Sequence, residues 1–248
     1  MGPISLAYAN ASGDTFTVDD TAGSSFADAC AYVSSAANTP GGGTWTIAVD
    51  SSYTGAGDCT INSQYPVVVQ PVSGSATLTM AVGGLKIASP HVTVKNMTLV
   101  GHTTTAADNS ADLTISSTDV NILDNDIKIG AYTSGGVAAW AYATDTGYGI
   151  IVNGSATAGS DPVTISGNTL EPADATIGAT GPFWIMGRSG VVNFVNNKIS
   201  GKYAYLASAS GYVDSSVTID SNHFDGVSGY SLGTSNNYGG AIADNYVV

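Results

Sequence analysis

Hydrophobic and polar positions alternate along this chain in short bursts, and the bursts repeat. The clearest is Val163-Thr-Ile-Ser-Gly-Asn-Thr-Leu-Glu-Pro172. It returns as Val120-Asn-Ile-Leu-Asp-Asn-Asp-Ile, Val192-Asn-Phe-Val-Asn-Asn-Lys-Ile and Val217-Thr-Ile-Asp-Ser-Asn-His-Phe. An earlier copy, Val92-Thr-Val-Lys-Asn-Met-Thr-Leu, carries Met97 where the others have Asn, and Gly240-Ala-Ile-Ala-Asp-Asn-Tyr-Val is the last. Strand side chains alternate with period two, so the first and third residues of each copy share a buried side. The residue between them (Thr93, Asn121, Thr164, Asn193, Thr218) points outward. Each copy therefore predicts a strand, a short turn holding Asn, and a second strand that turns inward again at Leu99, Ile127, Leu170, Ile199, Phe224 or Val247. The turn residues Asn125, Asn168, Asn197, Asn222 and Asn245 tolerate left-handed backbone geometry. Stacked, they would form a ladder of side-chain amides.

The first Val of successive copies steps by 28, 43, 29 and 25 residues, with 23 more to Gly240. One coil of a parallel β-solenoid takes roughly 20 to 30 residues. The long step implies an insertion near residues 131–160. Crossovers between parallel strands favour a right-handed path. The expected fold class is thus all-β: a single right-handed parallel β-helix (solenoid) with a short N-terminal capping α-helix. It forms one domain, 1–248, of which 1–40 supply the first strand and cap and 41–248 the coils. The cap is Phe26 to about Ala36, started by Ser24 or Ser25 with Asp28 as the capping-box acid; Phe26, Cys30 and Val33 share its apolar face.

Those elements carry a resemblance. The order Phe16-Thr-Val, a Thr-Ala-Gly turn, a Ser-capped helix, then Gly-Thr-Trp-Thr-Ile resembles the opening module of bacterial surface β-helix proteins. The repeats from Val92 onward are similar to the pectate-lyase-like superfamily of right-handed β-helices. That resemblance implies polysaccharide lyases, glycosidases, epimerases, tail spikes or adhesins, and a shared fold does not choose among them. The polygalacturonase-like pattern of Asn-Thr-Asp, Asp-Asp and Gly-His-Gly is missing: Asp19-Asp20 precedes the cap, and His102 is followed by Thr103. A pectate-lyase-like base needs an Arg or Lys beside acids, and Arg188, the only Arg, has none next to it. No catalytic residue is assigned.

Charge narrows the partners. A net charge of −13, with Lys86, Lys95, Lys128, Arg188, Lys198 and Lys202 as the only cations, disfavours nucleic acid and anionic glycans. No run of 18 apolar residues predicts membrane insertion. The composition points to a secreted or cell-surface protein. Pairing arithmetic favours a Cys30–Cys59 disulfide pinning the cap to the first coil, with two buried thiols as the alternative. No cofactor is implied; calcium is the one metal considered, at Asp108 with Asp112, or at Asp124. Asp126, Thr169, Lys198 and His223 fall in one outward column, and Asp126 to His223 spans ~14 Å, too far for proton transfer. Lys128 and Glu171 are neighbours in another, expected to form a modest ion pair.

Two functional expectations remain. One is a polysaccharide-active enzyme or glycan-binding module, for which Trp140, Tyr142, Trp184, Tyr203 and Tyr205 offer rings for neutral glycans, unless they fill the corners of the coil. The other is a structural or adhesive protein: the last copy stops with no polar closing segment, as in a fragment of a longer protein or an end covered by another copy, and the expectation is a homo-oligomer or filament joined head to tail. Ile242, Tyr246, Val247 and Val248 would meet the strand containing Ile4, Leu6 and Tyr8.

Overall fold

The structure, a computed structural model, describes residues 11–81, 83–103, 111–131, 133–134, 137–138, 147–153, 161–187, 190–211, 215–235 and 241–247. Its strands form largely parallel sheets on three faces, an arrangement compatible with a β-helix-like solenoid. Each coil visits the faces in the same order. One coil, for instance, runs through Val92–Lys95 on the first face, Met97–Val100 on the second and Leu113–Ile115 on the third, before Val120–Leu123 returns to the first.

Register follows the repeated phrase. Val92 pairs with Val120, Val120 with Val163, Val163 with Val192 and Val192 with Val217. A slip of one residue would turn every inward side chain out, so the buried Val/Ile columns hold this register. Val94, Ile122, Ile165, Phe194 and Ile219 stack beneath it with essentially no exposure. Each such side chain contributes about 1.5–3 kcal/mol on burial. Phe194 also stacks on Phe183 of the third face at 3.8 Å, joining two faces across the core.

Several expectations need correcting. The long step between Val120 and Val163 is not all insertion, because Tyr148–Val152 is a regular third-face strand paired with Leu113–Ile115 and Gly181–Gly187. Val67–Pro71 forms a further first-face strand, paired with Val92–Val94, in a coil that lacks the Asn signature. The first sheet is mixed, since Ala11–Ser12 pairs antiparallel with Thr15–Phe16. In the last coils the second corner disappears: Lys198–Gly211 pairs at its start with Thr169–Leu170 and at its end with Trp184–Gly187.

The cap is helix α1 (Phe26–Ser34), ending two residues before the expected Ala36. Ser25 is its N-cap, and Asp28 closes the capping box back onto the Ser25 backbone. Phe26, Ala29, Cys30 and Val33 are buried beneath it. Cys30 and Cys59 form a disulfide with Cα atoms 6.2 Å apart, tying the cap to the third-face strand Cys59–Ile61.

Candidate functional site

The corner between the first and second faces is the most regular part of the molecule. Asn125, Asn168, Asn197 and Asn222 are each no more than 2% exposed. The Asn168 backbone N–H and side-chain Nδ2 both donate to Asn197 Oδ1, at 3.0 and 2.9 Å. Its own Oδ1 accepts the same pair from Asn125 at 2.9 and 3.0 Å, and its Nδ2 also donates to the Ile122 carbonyl at 2.9 Å. The pattern repeats from Asn197 to Asn222 and from Asn222 to Asn245. At the other end the Met97 N–H donates to Asn125 Oδ1 at 3.0 Å.

These Asn residues are not the left-handed ones. Positive φ falls one residue earlier, on Asn96, Asp124, Asn196, Ser221 and Asp244, and on Gly167 in the remaining copy. The backbone bends at the exposed residue so that its neighbour can turn inward and join the ladder. Gly167 is needed for space as well as φ, because a Cβ there would come within 2.2 Å of the Asp124 carboxylate. Asp124 thus lies at the corner, its carboxylate facing Gly167 of the next coil.

Asp112 is engaged by the backbone. It is 7% exposed, and its carboxylate accepts backbone N–H groups from His102 at 3.0 Å and Gly130 at 2.9 Å. Asp108 lies outside the described residues. Among the described residues no group of three or more His, Cys, Asp or Glu can hold a metal ion.

The second face carries most of the outward charge. Register aligns Asp126, Thr169, Lys198 and His223 in one column, with Tyr246 beyond them. Lys128 bonds Glu171 and lies 3.2 Å from Asp126 Oδ1. Desolvation works against its charge, but bonds to Glu171 and Asp126 outweigh this and hold the ammonium pKa above its usual range. Lys128 therefore keeps its proton. Beside the cap, a cavity of about 340 Å³ is lined by Asp19, Asp20, Tyr53 and Asp58. These carboxylates already accept bonds, Asp20 from Thr54 and Asp58 from the Ala81 and Gly84 N–H groups.

The aromatic residues separate. Tyr203 is 1% exposed and donates its hydroxyl to the Leu170 carbonyl at 3.2 Å, so it fills a corner and cannot meet a glycan. Burial, with a contribution from the Glu171 charge, pushes its phenol pKa far up. Trp184 stays half-buried on the outer side of the third face, packed on Tyr148 at 5.1 Å with Ala111 and Ile151 alongside. Its indole Nε1 is enclosed and has no hydrogen-bond partner among the described residues. Trp140, Tyr142 and the Tyr205 side chain lie outside the described residues.

At the far end, Ala241–Ala243 pairs with Ser215–Asp220 on one edge and has no strand on the other among the described residues. Ile242 is 45% exposed and Tyr246 62%, with Tyr246 packed edge-on against His223. Ile4, Leu6, Tyr8 and Val248 lie outside the described residues, as does the Val247 side chain.

Sequence reasoning missed the third face. Its strands follow a second phrase, Asp58-Cys-Thr-Ile61, Gly84-Leu-Lys-Ile87 and Asp112-Leu-Thr-Ile115, and register aligns all three. The signal was a Thr-Ile or Lys-Ile pair preceded by Asp or Gly, too short to stand out beside the Asn phrase. No protein-family model, curated protein or solved structure matches this chain.

Proposed function

We propose that this protein is a secreted or cell-surface structural or adhesive protein. Its faces wind as a single right-handed parallel β-helix of the pectate-lyase-like kind, and it associates with further copies of itself through the Ala241–Ala243 edge. The observation that carries the reading is the exposure of Ile242 and Tyr246 beside an edge strand, where among the described residues the only other exposed large apolar side chain is Val72. Unpaired strand edges bearing apolar side chains are templates for association. The disulfide supports an oxidising compartment. No helix among the described residues is long and apolar enough to cross a membrane. Light scattering and electron microscopy of the purified protein test the idea. Oligomers or filaments should form, and Ile242→Lys with Tyr246→Lys should disperse them. A wild-type protein that stays monomeric at high concentration sinks the proposal.

A second reading, a neutral-glycan contact on the third face, is favoured by Trp184 alone. Its half-buried ring on the outer side of that face suits stacking on a sugar. Loss of glycan-array binding in Trp184→Ala would support it, and absence of binding by the wild type would dismiss it.

A further inference from the structure

We infer that the Asp112 carboxylate makes the roots of two successive corner connections, at Gly101–Thr103 and Gly130–Ala131, a single conformational unit. Both connections leave the second face at the same corner, one coil apart. Asp112 Oδ1 accepts the His102 N–H from the first root and Oδ2 accepts the Gly130 N–H from the second, at 3.0 and 2.9 Å. Its backbone extends the node to both neighbouring coils. The Leu85 N–H donates to the Asp112 carbonyl at 2.9 Å, and the Asp112 N–H donates to the Tyr148 carbonyl at 3.2 Å.

The node leaves no room for adjustment. A Cβ on Gly101 would stand 2.1 Å from Asp112 Oδ2, and one on Gly130 would stand 2.1 Å from the His102 carbonyl. Two further bonds join the roots without touching Asp112. The Gly101 N–H donates to the Lys128 carbonyl at 2.6 Å, and the Ala131 N–H donates to Thr103 Oγ1 at 3.3 Å. The Gly130 N–H bond is buried and the His102 N–H bond partly so, and water replaces such bonds to an enclosed carboxylate poorly. Opening one root therefore withdraws a donor from the same carboxylate that anchors the other. Asp58, at the aligned position two coils earlier, accepts both of its bonds from a single connection, through the Ala81 and Gly84 N–H groups. Asp112 differs by spanning two, so a ligand or partner engaging one connection is felt by the other.

Amide hydrogen exchange followed by NMR tests this on the whole chain. In the wild type under rising guanidinium, the His102 and Gly130 amides should merge onto one opening isotherm, distinct from that of the Asn168 amide in the ladder. In Asp112→Ala the decisive amides are Gly101 and Ala131, which do not bond Asp112. Both should exchange at least ~10-fold faster while Asn168 keeps its protection. Separate isotherms for His102 and Gly130, or unchanged Gly101 or Ala131 exchange in the variant, overturn the inference. If Asp112→Ala does not fold, shown by lost Asn168 protection, the wild-type isotherms decide alone.

Discussion

The two described corners of the second face solve one problem with different chemistry. At the corner with the first face, successive coils are joined by Asn amides; at the corner with the third, by the carboxylates of Asp58 and Asp112. An amide both donates and accepts, so one rung hands its bond to the next and the chain of bonds continues through Asn245. An ionised carboxylate only accepts. It can gather N–H groups, but a second carboxylate cannot stack on it, and the Asp58 and Asp112 positions are separated by Gly84. The amide corner is accordingly uniform and sets the pitch. The carboxylate corner varies in length from coil to coil and is secured case by case. Repetition is possible only where each side chain can serve as its neighbour's partner.

That contrast can be broken deliberately. The largest effect is expected from Asn168→Ala, which strands the Asn125 N–H and Nδ2–H groups and removes the donor to the Ile122 carbonyl. Unsatisfied buried groups cost roughly 1–3 kcal/mol each, so chemical denaturation should show a loss of about 4 kcal/mol, with faster exchange at both Asn125 and Asn197. Asp58→Ala should cost less, about 2 kcal/mol, and stay local. Its exchange effects should be confined to Ala81 and Gly84; acceleration along further coils would contradict the distinction between the corners.

Tyr203 tests the place where the carboxylate corner vanishes and the strand runs through. Tyr203→Phe should cost about 1 kcal/mol at neutral pH, for the bond to the Leu170 carbonyl. The sign of its pH dependence is set by a folded pKa raised above the unfolded one. The contribution is complete below the unfolded value near ~10 and is lost as pH rises beyond it, because only the unfolded chain readily ionises. Urea titrations from neutral to alkaline pH should therefore show a flatter alkaline limb in the variant. At the first rung the informative quantity is a difference between two variants. Met97 is 1% exposed, and its N–H already meets Asn125 Oδ1. Met97→Asn can extend the ladder by one amide, so it should destabilise less than Met97→Ala, for which about 2–5 kcal/mol is typical. Equal losses would mean that the ladder cannot be lengthened there.

The legible parts of the fold were those written in repeated phrases. The spacing of Val92, Val120, Val163, Val192 and Val217 carried the register, because one buried column must be filled by one residue type from every coil. The Ser25 cap, with Asp28 three residues on, was equally local. Residue order along a strand determines which side chains face inward, and a turn motif needs only its own few residues. Other features depended on what stands one coil away. Val67–Pro71 lacks the Asn and is recognisable only beside Val92. Nothing in its sequence neighbourhood distinguishes Asp112, read as a calcium ligand, from an exposed acid. Its role appears only when the His102 and Gly130 N–H groups, from two different coils, converge on it. The sequence leaves Tyr203 between surface contact and core filling, and the bulged strand turns it inward. Periodicity alone determined which faces are buried. The close approach of groups distant in sequence, which makes a carboxylate a clamp and a phenol a core residue, was decided only by the winding of the chain in three dimensions.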